Sequence, residues 1–289
     1  MKFLVTGATG FLGWRTATLL RERGHDVVAL ARPGGSARRF SEDVDTVRLD
    51  AGDPSARDLV DGCAAVFHFA GVPDPAGARE DAARAVRENA GTTLNLLDGC
   101  AEYGAGLVYP STVRAAVDRP PDDYALSKRL GELACELHSA RATVVRFTSV
   151  FGPGQVAWEG ATGAIAAFAA NALAGDPIVI PGDPQRTRDF VYVDDAIGAL
   201  ERIAAGERWN ETMTIASGEA TPLRRAAELV VAAAHSTSTI ETPGGELPRG
   251  ENDSYGGEPV LDFTIRPLAE AIPAYVDWLR SYTAAEGGS

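Results

Sequence analysis

KFLVTGATGFLG, residues 2–13, is the stretch that decides the fold. Residues 2–6 have strand character and run into a glycine-rich turn, which opens at once into an amphipathic helix over 14–23 closed by Gly24. Glycines at 7, 10 and 13 let a backbone turn tightly and come close to a pyrophosphate at a helix N-terminus. The spacing is GxxGxxG rather than GxGxxG, and a glycine triplet alone is equally a simple tight turn. The strand before it and the helix after it favour the dinucleotide reading, with Gly7, Gly10, Phe11, Leu12 and Gly13 as cofactor-binding residues.

Outward from this stretch, short β-branched runs alternate with helix-length amphipathic segments. Strands are expected at 26–30, 46–49, 65–69, 106–109, 143–148 and 212–215, and helices at 78–103, 124–139, 161–174, 194–204 and 223–234. Such alternation predicts an α/β fold, a doubly wound parallel sheet covered by helices. After residue 150 the alternation loosens, and prolines and glycines cluster at 152–154, 175–184 and 243–259. The expected division is a nucleotide-binding domain over 1–150, completed by about 185–217, and a smaller lobe interleaved from about 151–184 and 218–289.

Composition narrows the function. The 289 residues are 45% hydrophobic and 23% charged, with a net charge of −13. Nonspecific binding to nucleic acid or to an anionic membrane needs a basic surface, so neither partner is expected. An anionic small molecule stays open, because a few local arginines can override the average field. Cys63, Cys100 and Cys135 lie far apart without CxxC spacing, and MKFLVTGATG enters a strand rather than an export signal. Reduced thiols and a cytoplasmic location are therefore expected. No run approaches the roughly 18–20 apolar residues of a membrane span, and four scattered histidines give no metal-ligand spacing.

The end of the second strand selects the cofactor. A carboxylate there chelates the ribose hydroxyls of NAD, whereas an arginine accommodates the 2′-phosphate of NADP. Ala31 and Arg32 occupy the position, with Arg38 and Arg39 shortly after. NADP is favoured and NAD remains possible, since Arg32 could equally be a solvated surface residue. Asp50, after the third strand, could meet the adenine edge or merely close a turn.

PPDDYALSK, residues 120–128, reads as a helix start with Asp122 or Asp123 as N-cap. Tyr124 and Lys128 then share one face at i and i+4. An ammonium beside a phenol favours the phenolate, and such a tyrosine exchanges a proton with a substrate oxygen while hydride moves to or from nicotinamide. Alone, this pair is ordinary surface decoration; downstream of a nucleotide-binding turn, and after Pro110-Ser111-Thr112, it points to catalysis.

Taken together, TGATGFLG at 6–13, FHFAG at 67–71, ENAGTTLNLL at 88–97, YALSK at 124–128, RFTSVFGPG at 146–154 and RDFVYVDD at 188–195 resemble the extended short-chain dehydrogenase/reductases, specifically the NAD-dependent epimerase/dehydratase family of nucleotide-sugar enzymes. The resemblance implies a Rossmann-type seven-stranded sheet with a small C-terminal substrate lobe, and a homodimer formed through the helices over 78–103 and 124–139. It implies Tyr124 as acid/base, Lys128 on the nicotinamide ribose, Thr112 on the reacting oxygen, and Phe69, Ala70 and Gly71 along the cofactor. Arg188 matches an arginine that grips substrate pyrophosphate, a role suited to a bidentate guanidinium, unless it pairs with Asp189. Arg249 resembles a second phosphate contact; Gln155 and Arg186 are further pocket candidates.

The departures also inform. Family dehydratases follow the catalytic threonine with Asp-Glu, whereas Val113 and Arg114 stand here, and neither can eliminate water. Ala115-Ala116 replace Val-Tyr, and Ser149 replaces an asparagine that contacts substrate. Two readings share the catalytic residues: an NADPH-dependent keto-sugar reductase, slightly favoured by Arg32, and a sugar epimerase that retains its cofactor. A reductase of a non-sugar ketone is a third, and a non-catalytic nucleotide sensor is disfavoured by the intact Tyr124 and Lys128.

Overall fold

The computed structural model describes residues 1–35, 44–159, 163–206, 208–248, 251, 253–258 and 263–286. Strands β1 (Lys2–Thr6), β2 (Asp26–Ala31), β3 (Asp45–Arg48), β4 (Ala65–His68), β5 (Gly106–Thr112) and β6 (Ala142–Phe147) join Thr212–Ile215 in one seven-stranded sheet. Its order is Thr212–Ile215, β6, β5, β4, β1, β2, β3. The pairs β1–β2, β1–β4, β2–β3, β4–β5 and β5–β6 are all parallel. Parallel neighbours need a crossover over a face of the sheet, so helices cover it and its central strands are apolar on both sides. Every residue of β4 and β5 is buried. The strand order reverses at β1, which lies between β2 and β4. Such a reversal opens a crevice beyond the C-terminal strand ends, where open α/β sheets bind ligands.

The chain divides into two units, Met1–Phe147 with Ile197–Thr214, and Thr148–Ala196 with Ile215–Ser289. The first holds the sheet, with Phe3, Leu4, Phe67, Leu96, Leu97 and Leu107 fully buried around it. The second packs the helices Ala164–Ala174, Leu223–Ala234 and Leu268–Glu286 around Phe151, Ile165, Ile178, Val230, Tyr275 and Leu279. Side chains of this size contribute about 1.5–3 kcal/mol each when removed from water.

Short strands at Ser149–Phe151, Ile178–Pro181, Thr187–Arg188, Phe190–Tyr192, Thr221–Pro222 and Ile240–Gly244 were not expected, and three helical segments also differ from the sequence expectation. The helix expected over 78–103 is broken into Pro75–Glu80, Ala82–Val86, a π-type turn Arg87–Gly91 and Thr92–Tyr103. Asp81 interrupts it by accepting from the Arg84 amide at 2.8 Å, a second N-cap in mid-segment. In the π-turn, the Asn89 carbonyl accepts the Tyr109 hydroxyl at 3.0 Å and the Thr93 hydroxyl at 2.9 Å, which draws it out of the regular ladder. The helix expected from residue 14 starts at Phe11, with Gly10 as N-cap. The C-terminal helix Leu268–Glu286, with Pro273 inside it, was not expected. Its buried Leu268, Ala271, Ile272, Tyr275, Val276 and Leu279 nevertheless keep a helical period.

Candidate active site

The turn after β1 is built for close approach. Gly7 has φ +64°, and a Cβ there would lie 2.6 Å from the Ala70 nitrogen and the Phe69 carbonyl carbon. A Cβ on Gly13 would lie 2.3 Å from the Gly7 oxygen, whereas one on Gly10 would meet that oxygen at 3.3 Å. Gly10 caps the helix with extended backbone and no side-chain hydrogen bond, and no acidic residue sits in the first turn. The first intrahelical donor is the Trp14 amide, to the Gly10 oxygen at 2.9 Å. The amides of Phe11, Leu12 and Gly13 therefore precede any helical acceptor and suit an anion. This cradle, which a single Cβ would fill, fits a dinucleotide pyrophosphate.

The same turn is bolted to the end of β4. Thr6 Oγ1 accepts from the Ala70 amide at 3.1 Å and shares a proton with His68 Nδ1 at 2.8 Å. His68 Nε2 lies 3.1 Å from Thr92 Oγ1. Burial, with the charge of Lys128 adding, pushes His68 down to about 3, so the imidazole is neutral at ordinary pH. Gly71 has φ +145°, and a Cβ there would lie 2.1 Å from Asn89 Oδ1. Phe69, Ala70 and Gly71 thus run between the glycine turn and Asn89.

Helix Asp123–Leu137 carries the expected pair. Asp122 is its N-cap, its Oδ1 accepting from the Ala125 amide at 2.9 Å. Lys128 is buried, donates to the Pro110 carbonyl at 3.0 Å and lies 5.0 Å above the Tyr109 ring. Burial pushes its ammonium down to about 8. Tyr124 packs against Val72, Ala78 and Ala85. Burial pushes its phenol up; the Arg114 guanidinium opposes that, while Asp74 and Asp122 add to it. The lowering expected from Lys128 is outweighed by burial, and the cation that opposes burial is Arg114.

Thr112 ends β5, buried, its Oγ1 accepting from the Arg114 amide at 3.3 Å. The neighbouring Ser111 donates to Glu132 Oε1 at 2.6 Å. Arg146 of β6 grips the same carboxylate through Nε at 2.9 Å and Nη2 at 2.7 Å. Glu132 lies one turn beyond Lys128, so helix Asp123–Leu137 is tied to both strands beneath it. Asn89 Nδ2 donates to Ser127 Oγ at 2.8 Å and to the Val72 carbonyl at 3.1 Å, which secures the helix from its other side.

At the adenosine end, Arg32 follows β2, more than half exposed and 3.8 Å from the Glu88 carboxylate. Asp50 accepts the Gly52 amide at 2.7 Å, so it does close a turn. Arg38 and Arg39 lie outside the described residues, as does Arg249. In the second unit, Ser149 pairs in register with Phe190. Arg188 donates to the carbonyls of Thr187 at 2.9 Å and Glu251 at 3.0 Å, and stacks 4.5 Å from the Tyr255 ring centroid. Asp189 accepts from the Ser217 amide at 2.8 Å and the Gly218 amide at 2.9 Å. Arg186 is buried and donates to the carbonyls of Pro181 at 2.6 Å and Asp183 at 2.7 Å. Gln155 is also buried, and its carbonyl accepts the Tyr275 hydroxyl.

His68, Asn89 and Ser127, inside the motifs at 67–71, 88–97 and 124–128, and Glu132, one helical turn past the last, had no role expected from the sequence. A polar residue at an otherwise apolar position of those runs was the available signal. Burial of Cys100 and Cys135 pushes both thiols up to about 12, so neither is a nucleophile near neutrality. Among the described residues there is no helix long and apolar enough to cross a membrane, and no cluster of three potential metal ligands.

The model of the NAD dependent epimerase/dehydratase family matches residues 3–216. The chain is 28% identical to dTDP-4-dehydro-6-deoxy-D-allose reductase of Streptomyces bikiniensis, over 97% of this chain and 96% of that one. It is equally 28% identical to UDP-glucose 4-epimerase of Mycolicibacterium smegmatis, over 97% and 99% of the two chains. Among solved structures, UDP-glucose 4-epimerase of Thermus thermophilus in complex with NAD superposes with a TM-score of 0.79 at 25% identity, covering 97% of this chain and 99% of that one.

Proposed function

The chain belongs to the NAD dependent epimerase/dehydratase family, and from that premise we propose that it reduces a ketone of a nucleotide-activated sugar with NADPH. The observation that carries this reading is the buried Lys128 on the helix of Tyr124, anchored to the strand that ends in Thr112. The glycine turn and residues 69–71 hold the dinucleotide, which supplies hydride at its nicotinamide when bound. Thr112 Oγ hydrogen-bonds the substrate oxygen. Tyr124 gives its phenolic proton to that oxygen as it becomes an alkoxide, and the high proton affinity of the buried phenol suits an acid. Lys128 binds the nicotinamide ribose and supplies positive charge beneath the site.

Val113 and Arg114 leave no carboxylate after Thr112 for an elimination, which favours simple hydride transfer over dehydration. Arg32 at the end of β2, with Ala31 in place of a carboxylate, supports NADPH. Arg188, Ser149 and Arg249 are proposed to contact the sugar nucleotide, whose phosphates suit the two guanidinium groups. The first unit is the dinucleotide-binding domain and the second the substrate-binding lobe. Leu126, Leu130 and Leu137 share one exposed face of the catalytic helix, and Val86 and Leu94 are exposed on the neighbouring segments. That stripe supports a homodimer through these helices.

The second reading, an epimerase with retained cofactor, uses the same residues and draws on the likeness to UDP-glucose 4-epimerases. Purification without added cofactor, followed by denaturation and mass analysis of any released dinucleotide, separates the two. The reductase predicts an empty protein that binds NADPH more tightly than NADH; stoichiometric NAD carried through purification would favour the epimerase.

A further inference from the structure

Arg114 occupies a critical place within the first unit. It stands on the short turn Val113–Ala116 that continues β5 beyond Thr112, and its amide donates to Thr112 Oγ1 at 3.3 Å. Its guanidinium pairs with Asp122, and both side chains are largely buried, 12% and 14% exposed. Asp122 in turn caps the helix of Tyr124 through its other oxygen, at 2.9 Å from the Ala125 amide. One continuous set of bonds therefore links the hydroxyl expected to hold the substrate oxygen to the first turn of the helix carrying the phenol.

We propose that Arg114 is a positioning residue for the hydride-transfer reaction, its ion pair with Asp122 and its amide hydrogen bond to Thr112 fixing Thr112 against the Tyr124 helix. The inference rests on the reading of Tyr124 as the proton donor. Where an elimination needs a carboxyl group after the threonine, this chain holds a cation that cannot exchange a proton near neutrality. The pair keeps the neighbourhood close to neutral, with the arginine and carboxylate acting on the phenol in opposite senses. The other groups facing the phenol are Asp74 on the segment before Pro75–Glu80, Tyr109 of β5 and, on its own helix, Lys128. Burial sets the phenol high; Arg114 limits how high.

The arrangement predicts opposite effects from the two halves of the pair. With 3,5-difluorotyrosine incorporated, whose phenol is several pH units more acidic than that of tyrosine, fluorine NMR reads the ionisation at position 124, assigned by its loss in Tyr124→Phe, in protein without substrate. Arg114→Met should raise the midpoint by about one pH unit, a tenfold gain in proton affinity, and Arg114→Lys should return most of the shift. Asp122→Asn keeps the N-cap but removes the negative charge, and should lower the midpoint. Should Arg114→Met fail to fold, the sign in Asp122→Asn decides: a fall supports the assignment, and no change or a rise overturns it. Equal shifts in both variants, or none, would likewise overturn it. The pH profile of NADPH-dependent reduction is measured alongside. If no reduction occurs but the opposite shifts remain, the reductase reading fails while the Arg114 pair stands.

Discussion

Lys128 Nζ donates to the Pro110 carbonyl at 3.0 Å, so the ammonium of helix Asp123–Leu137 is anchored to the strand that carries Thr112 two residues later. The anchor fixes a flexible side chain beneath the site, and burial brings the group down to about 8. Lys128→Met should lower kcat about 10²–10⁴-fold, the usual range for loss of acid–base machinery. In the native enzyme, kcat/KM should fall as pH rises through about 8, where the positive charge is lost. Stability moves the other way. The folded group titrates below its unfolded value of 10.5, so burying the cation costs stability below about 8 and that cost is relieved up to 10.5. Thermal unfolding of the native chain and Lys128→Met across this window checks the sign.

The three glycines of the first turn should not be equivalent. Gly13→Ala places a Cβ 2.3 Å from the Gly7 oxygen, and Gly7→Ala adds positive φ to a 2.6 Å contact with Ala70. Each should lose dinucleotide affinity by at least tenfold, and overpacking of this kind costs about 1–3 kcal/mol of stability. Gly10→Ala meets only a 3.3 Å contact and should be the mildest of the three. Titration of NADPH by nicotinamide fluorescence ranks them.

His68 predicts acid sensitivity. Its folded value of about 3 lies below the unfolded 6.5, so on unfolding it takes up a proton throughout that interval. Stability should therefore fall as pH drops from 6.5 towards 3, by at most roughly 1.4 kcal/mol per pH unit. His68→Gln, which keeps polar atoms for Thr6 and Thr92, should flatten this dependence in thermal unfolding. An unchanged slope would show that another group controls it.

The exposed leucines give a test of assembly. Leu130→Glu, together with Leu126→Glu, places charge in the middle of the helix face proposed to meet its copy. Sedimentation should show a dimer for the native chain and a monomer for the double variant, with helix content unchanged. A native monomer would remove the dimer from the account.

How much of this was legible in the sequence depended on whether a residue's role was local. The turn at 7–13 and the pair Tyr124 and Lys128 could be read because a strand, a glycine spacing and a helix period are all short-range patterns. The broken helix between Pro75 and Tyr103 could not, because its π-turn depends on Tyr109, a residue of another element that takes the Asn89 carbonyl. Glu132 was hidden for the same reason: its partners Ser111 and Arg146 sit on two different strands. Arg114 was visible as a departure from the dehydratase pattern, but its pairing with Asp122 came only with the folded turn. The helix Leu268–Glu286 went unread although its apolar period is present in the sequence.

Hydride transfer with Tyr124 as proton donor is tested most directly with NADPH carrying deuterium at both positions of the reactive nicotinamide carbon and a dTDP-activated 4-keto sugar as acceptor. The account predicts one deuterium per reduced sugar with the native chain, and a loss of about 10²–10⁴-fold in rate with Tyr124→Phe although NADPH still binds. An unchanged keto sugar and unoxidised NADPH, alongside interconversion of the corresponding 4-hydroxy epimers by the same protein, would contradict the reductase. Undiminished transfer in Tyr124→Phe would contradict the role of the phenol itself.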